Sequence, residues 1–149
     1  MPGPGSCACL LCRVPGLGGL ARLRSFAAAL AAEVARGRGF VCLIARDAEL
    51  RRLNRRFLGK DYATDVLSFP SGARRGPLGE IAISIDRART QAREHGHRTR
   101  DEIAILMLHG VLHLMGMDHE TDRGRMLRTE SHWRRRFGLP AGVIERVAT

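Results

Sequence analysis

Residues 109–119 read HGVLHLMGMDH and set His109, His113 and His119 in the pattern H-x3-H-x2-G-x2-H. No other feature restricts the fold so tightly, because the pattern works only if a helix, its stop and a returning turn fall at fixed positions. Residues four apart share a helical face, so His109 and His113 can aim at one point. Gly116 accepts the left-handed conformation that ends a helix, and the turn that follows can bring His119 to the same point. Three imidazole nitrogens with a fourth position left open form the donor set of a catalytic zinc ion rather than a structural one. A single histidine in an apolar helix is ordinarily a hydrogen-bonded core residue. Three of the chain's six histidines in this arrangement are better explained by shared ligation of a metal.

The spacing is also that of the metzincin proteases, with one difference. Gly110 stands where those enzymes carry the glutamate that acts as general base. A metal site lacking its usual base is therefore expected. Asp118, beside His119, can orient a ligand, assist a bound water or cap the following turn; the orienting role is the one expected.

At 149 residues the chain suits one domain with a core of its own. No apolar run is long enough to cross a bilayer, so no membrane partner is expected. The formal net charge of +10 favours a polyanionic partner, nucleic acid foremost. Lys60 is the only lysine. A GC-rich genome explains arginine over lysine, but not the surplus of basic over acidic residues. Cys7, Cys9, Cys12 and Cys42 lie away from the histidines in sequence and form no paired knuckle, so they read as incidental thiols of a reducing cytosol. Residues 1–32 hold arginine but no acidic residue, a faint likeness to an organelle transit peptide. The reading taken is a bacterial, cytoplasmic protein with a variable start; organellar targeting is the alternative the same stretch allows.

Residues 1–16, rich in glycine and proline, are expected to form a disordered lead-in to a single domain over 17–149. A helix is expected from Leu17 to about Arg36, then a strand over Phe40–Ala45. Asp47 is a plausible N-cap for a helix through Phe57, with Leu50, Leu53 and Phe57 on its inner face. Strands follow over Thr64–Phe69 and Leu78–Ile85, the second with Ile81, Ile83 and Ile85 on one face, and Asp86 can cap a helix running to about His95. Thr99 and Glu102 form a capping box for the next helix, which is apolar nearly all round and so belongs in the middle of the domain. A last helix covers about Asp122 to Phe137 and carries Arg134, Arg135 and Arg136. The fold class expected is α+β: a small mixed β-sheet covered by helices, with a central buried helix carrying two of the three histidines.

A second constellation lies upstream. Leu53-Asn54, Gly59-Lys60-Asp61 and Thr64-Asp-Val-Leu-Ser-Phe-Pro70 place specific polar residues around a strand. Taken alone, Asn54 reads as a helix-surface residue and Thr64-Asp65 as a turn. Together with the LGEIAIS strand and HGVLHLMGMDH, followed by Met126 and Glu130, they make the chain resemble the YbeY family of bacterial rRNA maturation factors, which are metal-dependent endoribonucleases. The resemblance spans about Leu50 to Glu130. It implies one metal ion, usually taken as zinc, on His109, His113 and His119. It also implies action on RNA, especially small-subunit rRNA processing and ribosome quality control, with ribosomal proteins or a ribosome-associated GTPase as partners. One departure stands out: Leu58 occupies the position where the family usually carries an arginine thought to matter for activity. Arg55 and Arg56 lie close by as the two candidates to substitute, Arg55 being about one helical turn from Leu58.

The chemistry expected is metal-assisted phosphodiester cleavage. With glycine at 110, the base is hydroxide generated at the metal, Asp118, or the RNA's own 2′-hydroxyl. Lys60, Arg55, Arg74 and Arg75 are the residues expected to hold the RNA backbone; each taken singly reads as a solvated surface charge. Two rivals are a non-enzymatic ribosome-assembly factor with a structural metal and a small metalloprotease. Gly110 and the basic charge both argue against the protease.

Overall fold

A computed structural model describes residues 7–148, with the backbone alone for 147 and 148. In chain order the elements are β1 (Ala8–Cys12), α1 (Leu20–Ala29, continued by a π-helical turn over Leu30–Val34), β2 (Phe40–Ala45), α2 (Asp47–Leu58), β3 (Val66–Pro70), β4 (Gly79–Ser84), α3 (Ile85–His95), α4 (Thr99–Leu114), α5 (Arg125–Arg136) and α6 (Val143–Ala148). The four strands form one sheet in the order β1-β2-β4-β3. β1, β2 and β4 run parallel, and β3 is antiparallel to β4. The sheet is therefore mixed and the fold α+β.

Side chains alternate across a strand, and β4 shows what each face meets. Ile81 and Ile83 belong to the main core, built with Leu30, Phe40, Ile44, Met107 and Val111 from the strands, α1 and α4. Ala82 points to the other face, where it packs with Leu50 of α2 and Leu67 of β3. At the start of β4, Gly79 has φ 145, and a Cβ there would fall 2.2 Å from the Phe69 carbonyl oxygen. Only glycine lets β3 approach β4 so closely.

Helix α4 has the central position that its composition demands. Every residue from Glu102 to Leu112 is buried, because a helix apolar on all sides has no face to offer water. It packs on both β3 and β4, and on α1, α3 and α5.

Several expectations are corrected. Ala8–Cys12, assigned to a disordered lead-in, forms an edge strand paired with β2, because Leu10 is buried at 7 % exposure while its neighbours face out. Residues 1–6 lie outside the described residues. Phe57 is not an inner residue of α2: it is 58 % exposed and meets Phe69 edge-on, with ring centroids 5.8 Å apart. Arg46, not Asp47, is the N-cap of α2. The cap of α3 is Ser84, whose hydroxyl accepts the Arg87 N–H at 3.2 Å, while Asp86 accepts the Asp47 N–H at 2.8 Å. The capping box at Thr99 does not form. Glu102 is fully buried and accepts both terminal guanidinium nitrogens of Arg146 at 2.9 Å, a charged partner outweighing the N-terminal backbone. The helix α6 that carries Arg146 has no counterpart among the elements expected from the sequence.

Among the described residues no helix is long and apolar enough to cross a membrane.

Candidate metal centre

His109 and His113 occupy the last turns of α4. Gly116, at φ 90, then ends the helix in the left-handed region that favours glycine. The Gly116 N–H donates to His113 O at 2.9 Å and the Met117 N–H to Leu112 O at 3.1 Å, folding the chain back over the helix end. That reversal carries His119 to the other two histidines. One ligand nitrogen from each of His109, His113 and His119 lies within 4.8 Å of the others.

The centre is graded in exposure: His109 is buried, His113 half-buried and His119 exposed. The Nε2 atoms of His109 and His113 are 3.1 Å apart. Two imidazole nitrogens this close repel through their lone pairs unless a proton or a cation stands between them. The His113 ring is held below the ordinary histidine range, first by burial and then by the neighbouring His109 and His119. It is therefore available at neutral pH as a lone-pair donor. An all-imidazole donor set suits zinc and other transition metals better than magnesium or calcium, which prefer oxygen. The residues present thus fit the metal that the sequence implies.

The cluster opens on a groove along the edge strand β3. One part, about 520 Å³, is lined by Asn54, Lys60, Tyr62, His113, Asp118 and His119 among others. A second, about 380 Å³, is lined by Asp65, Ser68, Pro70, His109 and His113. The two share Val66, Leu67 and His113, so His113 stands at their junction.

The residues singled out in the sequence fall in different places. Lys60 and Asp118 line the groove. The Asp118 carboxylate accepts the Glu120 N–H at 3.0 Å, a bond that caps its turn. Leu58 lines the groove and is 47 % exposed. Arg55 is exposed on the last turn of α2, beside Asn54 and Leu58, and is not itself among the residues lining the groove. Arg74 and Arg75 are exposed on the loop that follows β3. Arg38 braces that loop from β2's side by donating to the carbonyls of Ala73 at 2.7 Å and Gly76 at 2.9 Å. The described cysteines are all free, and Cys42 is buried so deeply that its thiol is pushed up to about 12.

Two residues matter more than their sequence context suggested. Asn54, which read as a surface residue, is 1 % exposed. Its side-chain amide donates to Tyr62 O at 2.9 Å, and its backbone carbonyl accepts the Lys60 N–H at 3.3 Å, so it fixes the turn that presents Lys60 to the groove. Glu130 of α5, fully buried, brings a carboxylate oxygen to 3.5 Å from His109 Nδ1. Its sequence signal is its place, with Met126, among the residues that carry the family resemblance, on an arginine-rich helix. Nothing local identifies its partner 21 positions away.

Comparisons with known proteins converge. A family profile described as Endoribonuclease YbeY matches residues 23–138. A protein named Endoribonuclease YbeY from Solibacter usitatus (strain Ellin6076) is 64 % identical over 126 residues, covering 84 % of each chain. Another of that name from Nautilia profundicola is 50 % identical over 105 residues, 70 % of this chain and 76 % of the relative. Among solved structures, the solution structure of TM1509 from Thermotoga maritima superimposes with a TM-score of 0.61 at 26 % identity, covering 85 % of both chains.

Proposed function

The chain belongs to the YbeY family, and from that premise we propose that it is a metal-dependent endoribonuclease whose single zinc ion is held by His109, His113 and His119. The observation that carries this reading is the convergence of three imidazole nitrogens within 4.8 Å of one another, at a groove shared with the chain's only lysine. When bound, the ion supplies Lewis-acid polarisation of a phosphoryl oxygen and lowers the pKa of the attacking group.

The chain's own residues supply the rest. Lys60, held by Asn54, takes a backbone phosphate inside the groove; Arg74 and Arg75, on the loop braced by Arg38, take phosphates beyond the Pro70 end. Arg55 reaches the RNA from the rim, in place of the arginine absent at Leu58. Asp118, which lines the groove, is the carboxylate that receives a proton from the attacking hydroxyl or water in this reading. With β1 completing its sheet, the chain from Ala8 onward acts as one catalytic domain. The substrate proposed is small-subunit rRNA near its 3′ end, in maturation and quality control in the cytoplasm, with ribosomal proteins or a ribosome-associated GTPase as partners. The sequence resemblance and the net charge of +10 support this finer reading.

The test is cleavage of an unpaired rRNA fragment by chelator-stripped protein, before and after zinc is restored. Cleavage should follow metal occupancy and vanish in His113→Ala. Tight RNA binding without cleavage by the zinc-loaded protein would overturn the enzyme in favour of an assembly factor.

A further inference from the structure

Glu130 divides its carboxylate between two elements. Oε2 lies 3.5 Å from His109 Nδ1, and Oε1 accepts the N–H of Val143, the first residue of α6, at 2.8 Å. The side chain is 0 % exposed, so no bulk water screens either contact. An ionised carboxylate only accepts, so this contact favours the tautomer with the hydrogen on Nδ1, which leaves Nε2, the nitrogen facing His113, as the lone-pair donor. The position of this one carboxylate thus sets the orientation of His109.

The segment carrying Val143 is in turn built around the same carboxylate. A Cβ at Gly142 would stand 2.5 Å from Oε1 and 3.0 Å from Cδ of Glu130. Only the absence of a side chain lets the backbone pass there. Two charged pairs hold the segment in register: Arg146 with Glu102, both oxygens at 2.9 Å, and Glu145 with Arg134, likewise at 2.9 Å. The region matched by the family profile ends at residue 138, so this segment lies beyond it.

We propose that Glu130 is a positioning residue for His109, and that the C-terminal segment 142–148 tunes metal affinity by fixing the Glu130 carboxylate through Val143 and Gly142. The proposal rests on the metal-centre reading given above.

The experiment measures zinc dissociation constants by chelator competition for wild type, Glu130→Gln, Gly142→Ala and the double variant, with thermal midpoints of the zinc-free forms. Glu130→Gln should weaken zinc binding about 10–100-fold. Gly142→Ala should weaken it in the same direction by displacing Oε1. The double variant should bind no more weakly than Glu130→Gln alone, because both changes act through one carboxylate. In the cobalt(II)-loaded protein both single variants should shift the ligand-field bands. Unchanged affinities, or lowered zinc-free midpoints with wild-type affinity, would overturn the proposal and leave Glu130 a purely structural residue. Additive losses in the double variant would overturn the coupling. Should Glu130→Gln fail to fold, Gly142→Ala decides alone. A wild-type protein that binds no zinc would overturn the metal-centre reading itself, a different and separately visible failure.

Discussion

Gly110 of α4 lies flat against Ile81 of β4: a Cβ at position 110 would stand 3.0 to 3.3 Å from three atoms of the Ile81 side chain. The Ser68 hydroxyl also donates to Gly110 O at 3.2 Å, tying the same point of the helix to β3. The missing glutamate of the metzincin pattern thus has a packing explanation. The side chain of residue 110 would enter the interface between helix and sheet, where Ile81 is 1 % exposed.

Substitution at 110 therefore tests packing rather than chemistry. Gly110→Ala gains about 1 kcal/mol of helix propensity and meets an overpacking cost of about 1–3 kcal/mol, for a net effect between about zero and a loss of about 2 kcal/mol. Gly110→Glu would bury an unpaired carboxylate and should abolish cooperative folding without conferring peptidase activity. Urea unfolding curves and a casein digest check both outcomes.

Zinc and acid should act oppositely on stability. Zinc at about 100 times its dissociation constant should stabilise the protein by about 2.7 kcal/mol, and a chelator should reverse this. In the zinc-free protein His113 titrates below the ordinary value of 6.5 that it regains on unfolding. Between those two values the unfolded chain binds the extra proton, so stability rises with pH across that window and falls as the pH is lowered through it. Protons compete with zinc for this nitrogen only towards the bottom of the same window. Thermal melts at a series of pH values, with and without zinc, read both effects.

The Glu102–Arg146 pair should matter far more than the exposed pairs on the surface. Arg146→Ala leaves a fully buried carboxylate with His97, 2.6 Å away, as its remaining partner among the described residues, and a loss of about 3–5 kcal/mol is expected. Arg51→Ala, which removes an exposed partner of Asp61, should leave the melting midpoint nearly unchanged. Calorimetry on the two variants makes the comparison.

Basic residues that touch phosphate should be visible in the salt dependence of RNA binding. Every cation withdrawn from the phosphate backbone should lower the slope of log affinity against log salt by about 0.7 for a single strand. Lys60→Ala and the Arg74→Ala/Arg75→Ala pair should each flatten the slope, whereas Arg22→Ala, remote in sequence from the groove residues, should not. Equilibrium binding of an unpaired oligonucleotide to zinc-free protein at several salt concentrations isolates this effect from cleavage.

Much of the site is legible in the chain because its determinants are local. Helical spacing aligns His109 with His113, a glycine with positive φ reverses the chain, and His119 lies three residues on. The all-round apolar run of α4 announces its own burial, and the alternation in β4 fixes its two faces. Local signals fail where a residue's partner is distant. Glu102 looks like a cap because Thr99 lies three residues before it; Arg146, 44 positions on, takes it instead. Asn54 and Phe57 sit on one amphipathic helix, yet the polar residue is buried and the aromatic one exposed. The Lys60–Tyr62 turn is hydrogen-bonded to Asn54 and covers that side of α2, whereas Phe57 stays largely exposed, meeting Phe69 edge-on with the Arg56 guanidinium over its ring.

The sequence by itself determined which three histidines converge, the helix that carries two of them and the α+β class, since each depends on spacing within a few turns of chain. Only the tertiary structure decided that Ala8–Cys12 completes the sheet, that a side chain at residue 110 would crowd Ile81, and that Glu130 joins His109 to the C-terminal segment. Those outcomes depend on surfaces brought together from distant parts of the chain, where close packing and buried charge pairing select the partner and local propensity does not.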